Sequence, residues 1–213
     1  MMEFLSPGRY VDSDHPAVVE FARQHVKGSS DVERAVALYY AVRDAIRYNP
    51  FLDFSRDTAF QGSKCLETGE GFCIGKSALL AACARAVGIP ARVGFADVKN
   101  HLTTPRLAER MGTDLFVYHG FTELWLEGKW VKATPAFNLE LCRKFRVKPL
   151  EFDGRSDSIF HPFDADDRRH MEYLRERGSF ADVPVAEIQR VFRESYPALY
   201  GLGKEAAKEA FSP

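Results

Sequence analysis

Cysteine is scarce in this sequence, which contains four in 213 residues, and no two of them are spaced as a C-x-x-C pair. So few thiols exclude a disulfide-dense scaffold, and their spacing argues against a structural zinc site. The same spacing argues against a redox or metal protein built on these thiols. We therefore expect free cysteines and predict no metal or organic cofactor.

The chain also lacks a dominant charge and a long apolar run. Its formal net charge is −1 and its basic residues are scattered, so we predict no nucleic-acid partner and no anionic membrane surface. No apolar run has the length that a bilayer requires. The first 16 residues carry Glu3, Asp12 and Asp14, where a signal peptide would have basic residues and then an apolar stretch. We predict a cytoplasmic protein with no membrane contact.

What is present is a hydrophobic content of 46%, enough for one substantial core. Apolar residues at helical spacing predict helices over the segments 17–26, 32–48, 73–87, 168–177 and 185–194. Aromatic and β-branched runs predict strands over the segments 91–98, 115–126 and 129–136. The last two strands are joined by Glu127-Gly128, a hairpin turn. Segment 51–71 has no regular pattern and is predicted to be irregular. Together these elements predict an α+β fold.

Cys73 lies at the first turn of the predicted helix 73–87, between Gly71 and Gly75. Unpaired backbone N–H groups and the positive end of the helix dipole stabilise a thiolate at this position. Glycines let a substrate approach the backbone closely, and the Cys73 N–H can point into an oxyanion hole. We predict that Cys73 is a nucleophile for acyl chemistry, whereas the other three cysteines are expected in the core.

His119 lies in the middle of the first hairpin strand, from which an imidazole can be aimed at a helix end. We predict that it is the general base for Cys73. If the hairpin has a two-residue turn, Glu123 lies opposite Lys132 on the second strand. That position predicts a cross-strand ion pair that holds the hairpin.

The same register places His119 opposite Ala136, with Thr134 and Asn138 as its diagonal neighbours. Either side chain would reach an imidazole N–H if the second strand persists past Pro135. Thr134 and Asn138 are therefore both candidates for the residue that fixes the tautomer of the base.

Four motifs carry a resemblance to a known family. In chain order they are Gly71-Phe72-Cys73, Gly88-Ile89-Pro90-Ala91-Arg92-Val93, His119-x-Phe121-x-Glu123 and Trp130-Val131. Over about 31–138, the chain strongly resembles the core domain of transglutaminase-like proteins. The resemblance implies a papain-like α+β fold, in which a helix-borne cysteine packs on an antiparallel sheet that supplies histidine and then an acidic residue. We interpret 1–213 as a single domain, with the core at about 31–138 and an extension at 139–213.

The chain departs from the family pattern at Thr134, which precedes Pro135 where the family usually has an aspartate. A threonine hydroxyl can accept a hydrogen bond from the ring, but it has no charge to stabilise an imidazolium. Asn138 is the alternative, as an amide serves in papain-like enzymes, and an acidic residue such as Asp153 is a third candidate. The large animal transglutaminases use calcium, but no acidic loop here resembles a calcium site.

The resemblance implies a cysteine-dependent acyl-transfer enzyme for a peptide, protein or small amide substrate. Cys73 would attack the carbonyl, His119 would protonate the leaving amine, and water or an amine would resolve the thioester. Peptidase, amidase, transglutaminase and arylamine-acetyl-transfer chemistry share this step, and hydrolysis is the default. The alternative function is a catalytically weakened or inactive peptide-binding module, and Thr134 is its support in the sequence.

Overall fold

The computed structural model describes residues 1–100, 107, 109, 111–159, 171–198 and 200. Its helices are α1 (Pro16–His25), α2 (Asp31–Ala45), α3 (Gly62–Thr68), α4 (Cys73–Ala86), α5 (Leu139–Phe145) and α6 (Val185–Ser195). Its strands are β1 (Arg47–Tyr48), β2 (Glu70–Gly71), β3 (Ala91–Asn100), β4 (Leu115–Leu126), β5 (Lys129–Ala133) and β6 (Met171–Phe180). Short 3-10 turns cover Met2–Phe4 and Asp57–Phe60. None of the helices in these ranges combines the length and apolar character that would carry it across a membrane.

The centre of the fold is α4, which is buried from Cys73 through Arg85. It packs against β3 and β4 on one side and against α1, α2 and α3 on the other. An alanine- and leucine-rich helix without a polar face is typical of this central position, because it has no solvent side. Gly88, with φ +83°, follows its last turn and provides the left-handed conformation that ends helices. The predicted helix 73–87 is therefore confirmed.

The main sheet has four antiparallel strands in the order β5-β4-β3-β6, and β1 and β2 form a separate parallel pair. The hairpin pairs Leu126 with Lys129 and Glu123 with Lys132, as a two-residue turn requires. Glu127 and Gly128 both have positive φ, which fits a type I′ turn. A helix-borne cysteine thus packs on an antiparallel sheet that carries His119, and the predicted α+β fold class is confirmed.

Helix α2 begins as the sequence predicts, with a capping box between Ser30 and Glu33. It ends at Ala45 instead of continuing to 48, because Arg47 and Tyr48 leave the helix to pair with β2. The segment 51–71, predicted to be irregular, contains α3. That helix forms where its residues bury against α4, a tertiary contact that local patterns do not reveal.

The predicted helix over 168–177 is wrong within its described part, because residues 171–180 form strand β6. Strong helix formers such as Glu172, Leu174 and Arg175 dominate this segment. Pairing with β3 overrides that propensity. The strand lies at the edge of the sheet, where exposed charged side chains are tolerated and protect against further pairing. The predicted helix over 185–194 is confirmed as α6.

Lys76 lies fully buried within the first turns of α4. Its Nζ donates hydrogen bonds to the carbonyl oxygens of Arg43, at 2.8 Å, and Ile46, at 2.6 Å. These two carbonyl groups lie at the C-terminal end of α2, where no N–H group of the helix is available to bond them. Burial lowers the pKa of the Lys76 ammonium to about 7, so this lysine couples protonation to folding.

We expect the stability of the protein to rise with pH relative to a Lys76→Met variant. The folded pKa of about 7 lies below the unfolded value of about 10.4. Between these values the unfolded chain binds the additional proton, so the free energy of unfolding increases with pH by about 1.4 kcal/mol per unit for a fully shifted group. Urea denaturation of both proteins across this window measures the difference. Parallel stability curves would show that Lys76 is charged in the folded protein as well.

Candidate active site

Cys73 is the first residue of α4 and is buried, with 7% of its surface exposed. Phe72 precedes it in an extended conformation as the N-cap. The backbone N–H groups of Gly120, Ile74 and Cys73 itself act on the sulfur and favour its thiolate, which lowers the pKa of the thiol. Two of these donors belong to the start of α4 and the third to β4, so the sulfur lies where helix and sheet meet.

The predicted low thiol pKa at the helix start is not found. Burial raises the pKa of the Cys73 thiol to about 11, against the opposing effect of the three N–H groups. The helix-start donors are present as expected. They are outweighed because transfer of an anion from water into an apolar site costs more than these hydrogen bonds return. A thiolate at Cys73 therefore requires a base that takes its proton.

Strand β4 contacts the start of α4 through Gly120. A Cβ atom at Gly120 would lie 3.0 Å from the Cα of Ile74 and 3.2 Å from its backbone nitrogen. The absence of a side chain therefore lets the two backbones touch. His119, one residue earlier in β4, is 3% exposed.

Cys73 and His119 line the same cavity, which has a volume of about 50 Å³. The other described residues that line it are Tyr48, Pro50, Phe54, Phe72, Leu107, Met111, Phe116, Val117, Phe192 and Tyr196. A cysteine and a histidine thus line one small pocket with mostly apolar walls. The structure brings together the two residues that the sequence singled out first.

The strand is irregular just before His119. Tyr118 has φ +53°, a left-handed conformation that is costly for a residue with a side chain. The pairing of β4 with β3 shifts register between Ala96 and Val98, which marks a β-bulge. Asp97 accepts a hydrogen bond from the Tyr118 N–H at 3.1 Å, and Arg177 holds Asp97 through contacts of 2.8 to 3.0 Å. This buried ion pair fixes the bulge that precedes the imidazole.

The structure places Thr134 and Asn138 beyond the end of β5, which stops at Ala133. The chain departs there because the Thr134 N–H bonds to the carbonyl oxygen of Ser158 at 3.0 Å. The predicted continuation of the strand past Pro135 is therefore wrong. The Thr134 hydroxyl is buried and has no hydrogen-bond partner among the described residues.

Asn138 is buried and caps α5. Its Oδ1 accepts a hydrogen bond from the Tyr48 N–H at 3.1 Å. This contact ties the segment after the hairpin to the strand that carries Tyr48. Asp153, the third candidate in the sequence, instead receives N–H bonds from Arg155 and Ser156 in its own turn.

The predicted ion pair between Glu123 and Lys132 is not formed, although the two residues are opposite each other. Glu123 binds Arg92, its partner on β3. The Arg92 guanidinium also lies 4.2 Å from the centre of the Trp130 ring, a stacking that holds it in place. Lys132 instead binds Glu176 at 2.8 Å.

The cavity residues that sequence reasoning missed include Tyr48, Phe192 and Tyr196. Burial raises the pKa of the Tyr48 phenol, and the nearby Cys73 and Tyr196 raise it further. The Tyr48 hydroxyl makes no hydrogen bond with a described residue, so it is an available donor beside the sulfur. Tyr48 is the last residue of the segment predicted as helix 32–48. Phe192 lies in α6 and Tyr196 just after it. No local sequence motif distinguishes any of the three.

The described residues contain four free, buried cysteines, which agrees with the predicted free thiols. Over the same residues, no group of three or more His, Cys, Asp or Glu side chains is arranged to hold a metal ion. The described residues that line the cavity supply a thiol, an imidazole and phenolic hydroxyl groups.

Comparison with known proteins gives one family. The sequence model of the transglutaminase-like superfamily matches residues 19–135, which include Cys73 and His119. No curated protein gives a match to this sequence.

Several solved structures resemble this chain. A Cytophaga hutchinsonii protein, described as a putative cysteine protease, is 17% identical with a TM-score of 0.49, over 84% of this chain and 53% of that one. A protein described as a TGase is 20% identical with a TM-score of 0.37, over 55% and 30%. Arylamine N-acetyltransferase from Salmonella typhimurium is 16% identical with a TM-score of 0.41, over 62% and 46%. This chain spans about half the length of the first of these proteins.

Proposed function

Because this chain belongs to the transglutaminase-like superfamily, we propose that it is a cysteine-dependent acyl-transfer enzyme that acts on amide or peptide bonds, with hydrolysis as its default outcome. The observation that carries the proposal is the cavity lined by both Cys73 and His119, at the contact between α4 and β4. A thiol at a helix start that shares a small pocket with an imidazole is the arrangement that thiol acyl transfer needs.

In the proposed reaction, the Cys73 sulfur attacks the substrate carbonyl carbon as its proton passes to His119. Burial raises the pKa of the thiol to about 11, so the resting cysteine is neutral near pH 7, and proton transfer accompanies attack. The tetrahedral intermediate then collapses to a thioester. His119 gives the proton to the leaving amine. Water, or an amine, attacks the thioester in the second half, with His119 again as base.

The negative oxygen of the tetrahedral intermediate needs hydrogen-bond donors in a site with little water. The start of α4 offers the Cys73 N–H, and the cavity wall offers the Tyr48 hydroxyl. Cys73 and Tyr48 line the same cavity, so both donors could serve the carbonyl oxygen of a substrate bound there. We propose that these two donors stabilise the oxyanion. One is a backbone N–H and the other a phenol hydroxyl, and neither is charged.

The third member of the site is proposed to be Thr134, with Asn138 as the alternative. The Thr134 hydroxyl is buried and its acceptor lone pairs are unused among the described residues. The Asn138 Oδ1 already accepts the Tyr48 N–H. Unsatisfied buried hydroxyls are uncommon in folded proteins and call for an explanation. A turn of the Thr134 side chain towards the ring when substrate binds would supply one.

A Thr134→Val variant tests this role because it is expected to move activity and stability in opposite directions. Removing an unsatisfied buried hydroxyl at constant shape should leave the free energy of unfolding unchanged or raise it by about 1 kcal/mol. The value of kcat/KM should fall about tenfold, because a hydrogen bond made only during reaction is worth roughly 1.4 kcal/mol. Denaturation and kinetics on the same preparation measure both. Unchanged kinetics would exclude Thr134.

The alternative function is a peptide-binding module in which the cavity is kept and turnover is lost. Its support is the uncharged residue at position 134. The two functions separate in one experiment, in which the protein is incubated with a library of peptide amides, with and without a primary amine. Mass spectrometry then distinguishes hydrolysed, transamidated and unchanged peptides. If peptides stay bound to the protein and none of them is converted, the result would support the binding module.

A further inference from the structure

The cavity beside Cys73 also defines the kind of acyl group that the enzyme accepts. We infer that its acyl substrates carry a short, uncharged aliphatic group, whose size limit is set by Phe192 and Tyr196 at the C-terminal end of the described chain. This inference rests on the proposed function, since it concerns the acyl group that Cys73 would receive.

The walls of the cavity exclude charged groups. Apart from Cys73 and His119, the described lining residues are aliphatic, aromatic or proline. A carboxylate or ammonium that entered would lose its water and find no permanently charged partner among the described wall residues, which is strongly unfavourable. An aliphatic chain loses only unfavourable contact with water. The lining therefore favours uncharged acyl groups over charged ones.

The volume of the cavity limits the length of the acyl chain that it can hold. A space of about 50 Å³ holds about four water-sized groups, at roughly 10 to 15 Å³ for each. This is room for a chain of a few carbon atoms beyond the carbonyl. Longer chains would have to displace the wall or leave the cavity through its open side, where they gain no further burial.

The wall that sets this limit is rigid. The Phe192 ring packs at 5.3 Å from the ring of Phe54 and also contacts that of Phe72. The Tyr196 hydroxyl accepts a hydrogen bond from the Val117 N–H at 2.6 Å and donates one to the Leu115 carbonyl at 2.8 Å. Gln189 adds a bond from α6 to the Phe54 carbonyl at 3.1 Å.

Phe192 and Tyr196 both lie outside the 19–135 segment that matches the family. The family core thus supplies the nucleophile and base, whereas the C-terminal part of the chain closes the acyl pocket. Specificity and chemistry come from different parts of the sequence.

The experiment uses p-nitrophenyl esters of acetate, butyrate, octanoate and succinate with the full-length protein. The Cys73 sulfur bonds to the ester carbonyl carbon, and the bond from that carbon to the nitrophenolate oxygen breaks. The thiol proton passes to His119 and from there to solvent, and water later releases the acid and restores the thiol. Nitrophenolate absorbance gives the acylation rate, and mass spectrometry of peptides locates the acyl group.

We expect butyrate to acylate Cys73 about fifteen times faster than acetate, since each buried methylene contributes about fourfold. Succinate, which has butyrate's chain length with a carboxylate at its end, should react at least about 100-fold more slowly than butyrate. Octanoate should also react slowly.

A Phe192→Leu variant enlarges the cavity and should shift the preference towards octanoate. Val191→Ala is the matched control, because Val191 is buried on the same helix but does not line the cavity.

Two results would overturn the inference, and they differ from each other. Equal rates for butyrate and succinate, with the acyl group on Cys73, would refute the apolar pocket and leave the proposed function intact. Failure of every ester to acylate Cys73, in a protein with a normal unfolding transition, would refute the proposed function and this inference with it. The comparison of esters on the unmodified protein decides the matter even if Phe192→Leu does not fold.

Discussion

Replacement of Cys73 by alanine is expected to abolish turnover and covalent labelling by acyl donors. The proposed mechanism places the thioester on this sulfur, and no other described cysteine lines the cavity with His119. The loss in kcat should be at least about 10⁴-fold, as for other enzymes deprived of their nucleophile. The protein should remain folded, because the change removes a single buried sulfur atom at a helix start and alanine favours the helix.

Cys142→Ala is the matched control for this variant. Cys142 is also buried and free, but it lies in α5 and does not line the cavity. It should keep activity within a few-fold of the unchanged protein. Kinetics and intact mass after reaction with an acyl donor check both variants. Activity retained in Cys73→Ala, or lost in Cys142→Ala at unchanged stability, would show that another thiol carries the chemistry.

Replacement of His119 by alanine is expected to slow acylation by about 10² to 10⁴-fold, the usual contribution of a positioned general base. It should also change the pH dependence of Cys73 alkylation by iodoacetamide. Burial already raises the pKa of this thiol to about 11 in the unchanged protein, so the variant lacks the group that would take the proton as the sulfur reacts. Labelling should then rise only well above the ordinary thiol pKa of about 8.5.

With the imidazole in place, labelling of Cys73 should begin at lower pH, since the base accepts the thiol proton. His25→Ala is the control, because His25 caps the end of α1 through the Phe21 carbonyl and does not line the cavity. Free imidazole added to His119→Ala should restore part of the rate. Identical pH profiles for the unchanged protein and His119→Ala would remove His119 from the mechanism and favour the binding module.

The sequence was informative where local rules decide structure. The limits of α4 follow from its composition and from Gly88, and the hairpin register follows from the two-residue turn. Cys73 and His119 could therefore be identified, and their common cavity follows from packing α4 on β4. These elements have local signals that agree with the tertiary fold.

Other features could not be read because they depend on contacts between distant segments. Strand β6 has helix-forming residues and becomes a strand only by pairing with β3. Glu123 binds Arg92 instead of Lys132 because two partners compete and the sequence does not rank them. The role of Phe192 in the cavity depends on where α6 packs.

The thiol pKa of Cys73 is the most instructive difference. The helix-start position predicts a lower value, whereas burial raises it to about 11. Position along a helix is visible in the sequence, but the depth of a side chain in the folded protein is not. In the proposed mechanism His119 takes this proton as the sulfur attacks, so the base would be needed for acylation itself.

The central claim is that Cys73 carries an acyl thioester during the reaction. It is tested most directly by rapid mixing of the protein with p-nitrophenyl butyrate, acid quenching and mass spectrometry of the intact protein and its peptides. We predict a single butyryl group on Cys73 that forms with the nitrophenolate burst, is released by hydroxylamine and is absent from Cys73→Ala. A butyryl group on another residue, or nitrophenolate release without any acyl-protein, would contradict the account.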